Sequence, residues 1–310
     1  MKKYIWALSY ALVLLLFTSF VLFDTFISTQ VYTVVEDRQQ EENDNQSQKE
    51  EQADIASGIE EDTGSSSSVV PDLSYTDENI SITITEYREY DSSIYVADIR
   101  LSSSAYLQTA FAQNAYGKNI TEKTSEIAEN NSAILAINGD YYGTQENGFV
   151  VRNGVLYRNT ASRNQEDLVI YKDGSFEVIT EKETDVEALV AGGAQQILSF
   201  GPALVVDGVI SVTEDEEVGK ARASNPRTAI GIVDELHYLF VVSDGRTDES
   251  EGLSLYELAE FIETLGASIA YNLDGGGSST MYFNGEIINN PTTSGKIKER
   301  SVSDIVYIGY

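Results

Sequence analysis

The sequence predicts an α+β protein: a large mixed or antiparallel β-sheet core with a few covering helices, following an N-terminal transmembrane helix. Three observations predict it. Apolar residues alternate with polar ones over many short runs, Asx-Gly dipeptides separate those runs, and helical spacing is clear in one place only. An apolar fraction of 42% over 310 residues supplies a sizeable core.

The first element is the membrane helix. Lys2 and Lys3 precede a stretch from Ile5 to Phe23 of about 19 residues without charge, and the next charge is Asp24. Basic residues on the N-terminal side place the bulk of the chain outside the cytoplasm, as a single-pass membrane protein. A cleaved signal peptide is the competing reading. It would show a shorter apolar region ending at small residues, where this chain has Phe20, Val21, Leu22 and Phe23. The anchor is assigned to residues 1–28.

Residues 29–74 read as a linker. Between Glu36 and Asp62 there are about eleven acidic and two basic residues, and the segment closes on Ser65–Ser68. So few large apolar side chains cannot offset the ordering entropy, which predicts a disordered tether. An acidic tail that binds calcium or a partner is the functional alternative.

The globular domain spans 75–310. Ile80, Ile82 and Ile84 alternate with Ser81, Thr83 and Thr85, and Ile94 to Leu101 repeats the pattern. Ala133 to Ile137 is a short buried run ending in Asn138-Gly139-Asp140. Asn153-Gly154, Asp173-Gly174, Asp207-Gly208 and Asn284-Gly285 each lie between apolar runs and predict hairpins. Arg227 to Val233 should pair with His237 to Val242 around Asp234 and Glu235. Ser254 and Glu257 form a capping box before Leu255, Leu258, Ala259, Ile262 and Leu265, with Gly266 as the stop. A weaker helix is predicted between Thr121 and Asn130, and a strand over Ile269 to Leu273.

Composition also excludes functions. A formal charge of −30 repels nucleic acid at long range, although a few local cations could still hold a small anion. The absence of cysteine removes thiol nucleophiles and Cys-type zinc sites. The single histidine, His237, sits mid-strand and reads as structural; it makes a multi-His metal centre or a Ser-His-Asp triad improbable.

The most specific local feature is Asp274-Gly275-Gly276-Gly277-Ser278-Ser279 at the end of a strand. Three glycines permit close backbone approach, successive amides can form an anion nest, and the serines add hydroxyls. Two more strand ends carry polar groups, Ser243-Asp244-Gly245-Arg246 and Asn138-Gly139-Asp140. Arg227, Arg246 and Arg300 are the candidate cations, since a guanidinium fork matches phosphate oxygens.

Together these segments resemble the phosphodiester glycosidase family over about Ile80 to Tyr310. The resemblance runs through Ile137-Asn138-Gly139-Asp140-Tyr141-Tyr142, Phe200-Gly201-Pro202-Ala203-Leu204, Arg227-Thr228-Ala229-Ile230-Gly231, Asp244-Gly245-Arg246, the glycine loop and Glu299-Arg300-Ser301-Val302. It implies an extracytoplasmic hydrolase that cleaves the glycosidic bond of a sugar-1-phosphodiester; bacterial relatives are associated with exopolysaccharide or cell-wall glycans. A phosphate monoester is already a good leaving group, so one ionised carboxylate at the sugar and positive potential at the phosphate would suffice. On that reading Asp274 is nucleophile or general base, Asp244 its partner or a sugar ligand, and Arg227 the phosphate clamp. Gly275, Gly276, Gly277, Ser278 and Ser279 would hold phosphate or sugar oxygens, with Asn138, Asp140, Arg246 and Arg300 as further substrate contacts. Asp140 departs from the small residue of many relatives, which puts a catalytic role for it in doubt. No cofactor is required, although Asp140, Asp244 and Asp274 could ligate Ca2+. The partner is then a phosphoglycan or sugar-1-phosphodiester, plus the membrane, and not nucleic acid. A non-catalytic wall-glycan binder and a phosphodiesterase breaking P–O remain the other two readings.

Overall fold

The structure, a computed structural model, describes residues 5–34, 73–215 and 224–310. Its backbone frame is an eight-stranded sheet in the order 209–210, 203–206, 269–272, 227–234, 237–243, 92–101, 80–89, 74–76. Every neighbouring pair in it is antiparallel, which resolves the mixed-or-antiparallel expectation. Two five-stranded antiparallel sheets complete the domain. One contains 135–138, 281–283 and 304–308, and the other 150–152, 166–171 and 194–198.

Layering follows from which strand faces are apolar. On one face of the large sheet, Ile80, Ile82, Ile99, Ile230, Phe240 and Tyr271 pack against Leu135, Ile137, Leu168, Ile170 and Val306 of the smaller sheets. On its other face, Val96, Ala229, Leu239 and Val241 meet Leu255, Leu258, Ala259 and Ile262 of the helix Leu255–Thr264. Strands 227–234 and 237–243 are therefore covered on both sides, which is why they read as nearly unbroken apolar runs. A second helix, Thr124–Asn130, covers the outer face of the 135–138 sheet through Ile127 and Ala128.

All four Asx-Gly dipeptides expected to form hairpins lie in turns between paired strands. In three of them both turn residues have positive φ: Asn153 and Gly154, Asp207 and Gly208, Asn284 and Gly285. That is the backbone whose twist matches the flanking strands. The Ser254–Glu257 capping box is formed, and Gly266 takes φ +84° just beyond the helix. The short helix Val186–Ala191, capped by Asp185, was not anticipated.

The N-terminus differs from expectation in two respects. Residues Ile5–Phe26 form a 22-residue helix whose described side chains, from Tyr10 to Phe23, are exposed and mostly apolar. Among the described residues no helix is long and apolar enough to cross a membrane. The linker expected over 29–74 does not begin as a free tether: Gln30–Val34 is a strand paired with Ala115–Lys118. Asn119, next in the chain, donates its amide to the carbonyls of Thr25 at 3.2 Å and Ser28 at 3.0 Å, and the Tyr32 ring meets Tyr116. The acidic stretch from 36 to 62 lies outside the described residues.

Candidate active site

Four strand ends meet at one edge of the stacked sheets. Arg227 opens its strand opposite Ser243, which closes the neighbouring one, so Asp244 follows immediately at the same edge. Asn272, paired with Ala229, ends a third strand and delivers Asp274. Asn138 ends a fourth. Its amide nitrogen donates to the Asp274 carbonyl at 2.6 Å, and its Oδ1 accepts from Thr228 Oγ1 at 2.9 Å. Residues far apart in sequence are thus joined around the glycine turn, as the sequence argument required.

Asp274 is the centre of this cluster. Its side chain is 11% exposed. Oδ2 accepts from Ser278 Oγ and from Arg300 Nη2, both at 2.7 Å. Burial raises its pKa, while the Arg300 charge and the Ser278 hydroxyl pull it back down. Arg300 also donates Nε to Ser278 Oγ at 2.8 Å and Nη2 to the Gly275 carbonyl at 3.1 Å, and its guanidinium carbon lies 5.8 Å from the Tyr141 ring centroid.

Asp244 is held separately. Its Oδ1 accepts from Asn289 Nδ2 and the Asn290 backbone, and its Oδ2 from Asn290 Nδ2, at 2.8 to 3.1 Å. Asn289 also bonds the Ser279 carbonyl and the Met281 amide, tying Asp244 to the far side of the glycine turn. Neither asparagine was singled out from sequence; Asn289-Asn290-Pro291 reads there as ordinary turn chemistry.

The arginines divide by exposure. Arg227 is buried and donates Nε to the Leu253 carbonyl at 2.8 Å. Arg246, with φ +62°, is exposed and points Nε and Nη2 at Asn225 Oδ1. The glycines explain how all this fits. A Cβ on Gly275 would lie 2.9 Å from the Pro226 carbonyl, one on Gly276 2.9 Å from Arg246 Nη2, and one on Gly277 would strike Thr293. The turn is touched on three sides.

Three expectations change here. The turn is not an open amide nest: Gly276 N–H donates to Pro226 O, and the Ser278 and Ser279 amides donate to Gly275 O and Gly276 O. Backbone donors turn inward because the turn closes as a short 3₁₀ segment, Gly276–Ser278. Asp140 is not a substrate contact in this geometry. It is fully buried, with Oδ2 at 2.8 Å from both Arg152 Nη2 and Ser199 N, and Arg152 Nη2 lies 2.7 Å from Asp304 Oδ2. Finally, Asp140, Asp244 and Asp274 do not form a calcium site. Each carboxylate is engaged by a different partner set, and among the described residues no group of three or more His, Asp or Glu is placed to hold a metal ion. His237 sits at the opposite end of its strand from Ser243, 3.0 Å from Asp98.

Behind the site lies a buried charged group that sequence reading missed. Asp304 accepts the Asp140 amide and faces Gly139, whose carbonyl in turn accepts the Asp274 amide. Burial, and then the nearby Asp140, push the Asp304 carboxyl up, against the pull of Arg152. Ser199 connects Asp140 to Glu181, and Glu181 faces the buried Asp167. Burial first, then the Glu181 charge, push Asp167 up to about 10.

The fold and site together define a β-rich domain with a cluster of acids and arginines at its strand ends. The chain belongs to the phosphodiester glycosidase family, whose sequence profile matches residues 131–309, more than half of its length. It is 29% identical over 202 residues to a prophage-derived protein of Bacillus subtilis, YomE, covering 63% of this chain and 31% of that protein. It is 29% identical over 179 residues to mouse N-acetylglucosamine-1-phosphodiester alpha-N-acetylglucosaminidase, covering 54% of this chain and 33% of the mouse protein. The chain therefore spans about a third of the length of these relatives. The zebrafish N-acetylglucosamine-1-phosphodiester alpha-N-acetylglucosaminidase catalytic domain, solved auto-inhibited by its pro-peptide, shares the fold. Its TM-score is 0.59 at 21% identity, over 79% of this chain and 85% of that one.

Two outcomes test the buried group. Arg152→Met strands Asp140 and Asp304 without their cation and should cost about 3–5 kcal/mol in urea unfolding; a loss under about 1 kcal/mol would show that the ion group is not what joins these sheets. Asp167 supplies the pH dependence. Between about 3.9, its unfolded value, and about 10 the native state keeps a proton that the unfolded chain releases, so stability falls as pH rises. Asp167→Asn cannot ionise, so its stability relative to the parent should grow from about pH 5 to about pH 8. A pH-independent difference would contradict this.

Proposed function

We propose that the chain is an extracytoplasmic hydrolase that cleaves the glycosidic bond of a sugar-1-phosphodiester in a cell-surface glycan or exopolysaccharide. The observation that carries the reading is the gathering of Asp274, Asp244, Arg227, Arg246 and Arg300 about one glycine turn. Family membership and the named activity of the mouse relative support the substrate class.

The chemistry follows from the charges. Water, or first the Asp274 carboxylate, adds to the anomeric carbon while the C–O bond to phosphate breaks. The bonding pair leaves with the phosphate monoester. Arg227 and Arg246 flank the turn and supply positive potential where that charge grows. Asp274 must be ionised to act as nucleophile or base, and Arg300 favours that state. Since burial raises its pKa, activity falls as pH drops through that raised value.

Hydrolysis in heavy-oxygen water tests the reaction. Label is expected in the released sugar and not in the phosphate, and label in the phosphate would mean P–O cleavage. Asp274→Asn should fold normally and lose at least about a thousandfold in kcat; an active, well-folded Asn variant refutes the assignment.

The same proposal holds the domain at the outer face of a membrane by its N-terminal helix. Lys2 and Lys3 ahead of the uncharged stretch Ile5–Phe23 support it. The full chain should resist alkaline carbonate extraction, and intact cells should expose the domain to added protease. Release into the soluble fraction, or protection from protease, would overturn the anchoring.

A further inference from the structure

We infer that Tyr141 is a positioning residue, whose ring face holds the Arg300 guanidinium on Asp274 and so fixes the carboxylate for reaction. The inference rests on the proposed role of Asp274.

Its starting point is backbone strain. Tyr141 has φ +65° and ψ +31°, the left-handed region, which a bulky aromatic occupies at a cost that Gly or Asn would largely escape. Nothing lets the peptide relax. Asp140 before it is locked by Arg152 and Ser199, and the Tyr142 amide after it donates to Asp140 Oδ1 at 3.1 Å. The two tyrosines then part. Tyr142 is buried among Phe111, Tyr116 and Tyr157, where its ring is core packing. Tyr141 is half-exposed, and its ring lies beside Arg300. A strained, half-exposed side chain kept beside the Arg300–Asp274 pair signals a use for it.

Arg300 needs such a hold. Its side chain is 40% exposed, so water competes for the guanidinium that bonds Asp274 and Ser278. An aromatic face on the guanidinium restricts its departure. The other charged groups around Asp274 are Arg227 beside Gly275, Arg246 beside Gly276, Asp244 on the far side of the turn, and the Asp140–Arg152–Asp304 group behind Gly139. Among the described hydrogen bonds, Arg300 is the cation that reaches the Asp274 carboxylate. Arg300 is thus the cation that opposes the burial of Asp274. Without its hold, Asp274 would take up a proton at higher pH.

The test compares Tyr141→Phe, Tyr141→Leu and Tyr141→Gly in the full chain. Phe keeps the ring face and should retain activity within about twofold; Leu and Gly should lose about tenfold or more, mainly in kcat, with the acid limb of the pH profile moved upward. Gly, relieved of strain, should unfold at an equal or higher temperature than the parent, which separates the effect from misfolding. In parallel, carbon-13 NMR titration of the Asp274 carboxyl, assigned by its loss in Asp274→Asn, should show a higher pKa in Tyr141→Leu than in the parent. That measurement needs no substrate. An upward titration shift without any sugar-1-phosphodiester turnover would sink the proposed function and leave the positioning intact. Unchanged titration in Tyr141→Leu, or a Phe variant as impaired as Leu, would overturn the positioning.

Discussion

The site depends on one steric constraint: nothing projects from the α-carbons of Gly275, Gly276 and Gly277. Pro226, Arg246 and Thr293 each occupy space where a β-carbon would otherwise stand. Backbone can be approached from three sides at once only where side chains are absent. The consequence is electrostatic as much as steric. Two arginines reach the turn because the turn offers them no obstacle, and Asp274 enters the same volume from the adjacent strand end. The glycines therefore act by admitting other groups. The Gly276 amide is taken by Pro226, and the Ser278 and Ser279 amides bond within the turn.

A second constraint lies one layer deeper. Arg152 sits on a strand of one small sheet and Asp304 on a strand of the other, with Asp140 between them. A buried cation shared by two carboxylates costs much desolvation, and it persists because both sheets supply partners for it. Gly139 rides on Asp304 at too close a distance for any larger residue, and its carbonyl receives the Asp274 amide. Rigidity at Asp274 thus comes in part from a fully buried charge group. Ordered support of this kind keeps a carboxylate in one orientation.

Much of the frame was legible because its signals are local. An Asx-Gly dipeptide between apolar runs dictates its own turn, and Ser254 with Glu257 caps a helix within one turn of chain. The convergence of Asp274, Asp244, Arg227 and Arg246 was legible too, since each stood at a predicted strand end; Arg300 stood at none. The ion group was not. Arg152 lies in a short apolar strand beside Val150 and Val151, and its partners are 12 and 152 residues away. No periodicity marks such a residue. The same blindness led Asp140 to be read as a substrate ligand, since a buried ionised acid and an exposed one look alike in sequence. Asn289 and Asn290 escaped for the opposite reason: beside Pro291 they look like ordinary turn residues.

Burial and charge finally decide what Asp274 can do. Burial raises its pKa and so favours the protonated form, a poor nucleophile and no base. Arg300 opposes that, but a long, partly solvated side chain is a weak guarantee of charge, because each rotamer it leaves for costs little. Ser278 narrows the choice by bonding both the carboxylate and Arg300 Nε. The half-exposed Tyr141 ring borders the guanidinium on another side. An ionised acid inside a protein is thus the product of several weak restraints acting together, each from a different part of the chain. The same Arg300 cannot serve a second anion while it holds Asp274, so under the proposed reaction the phosphate would fall to Arg227 and Arg246 across the turn. Separate cations for the carboxylate and for the leaving group are what a site needs when both charges are negative and both must be present at once.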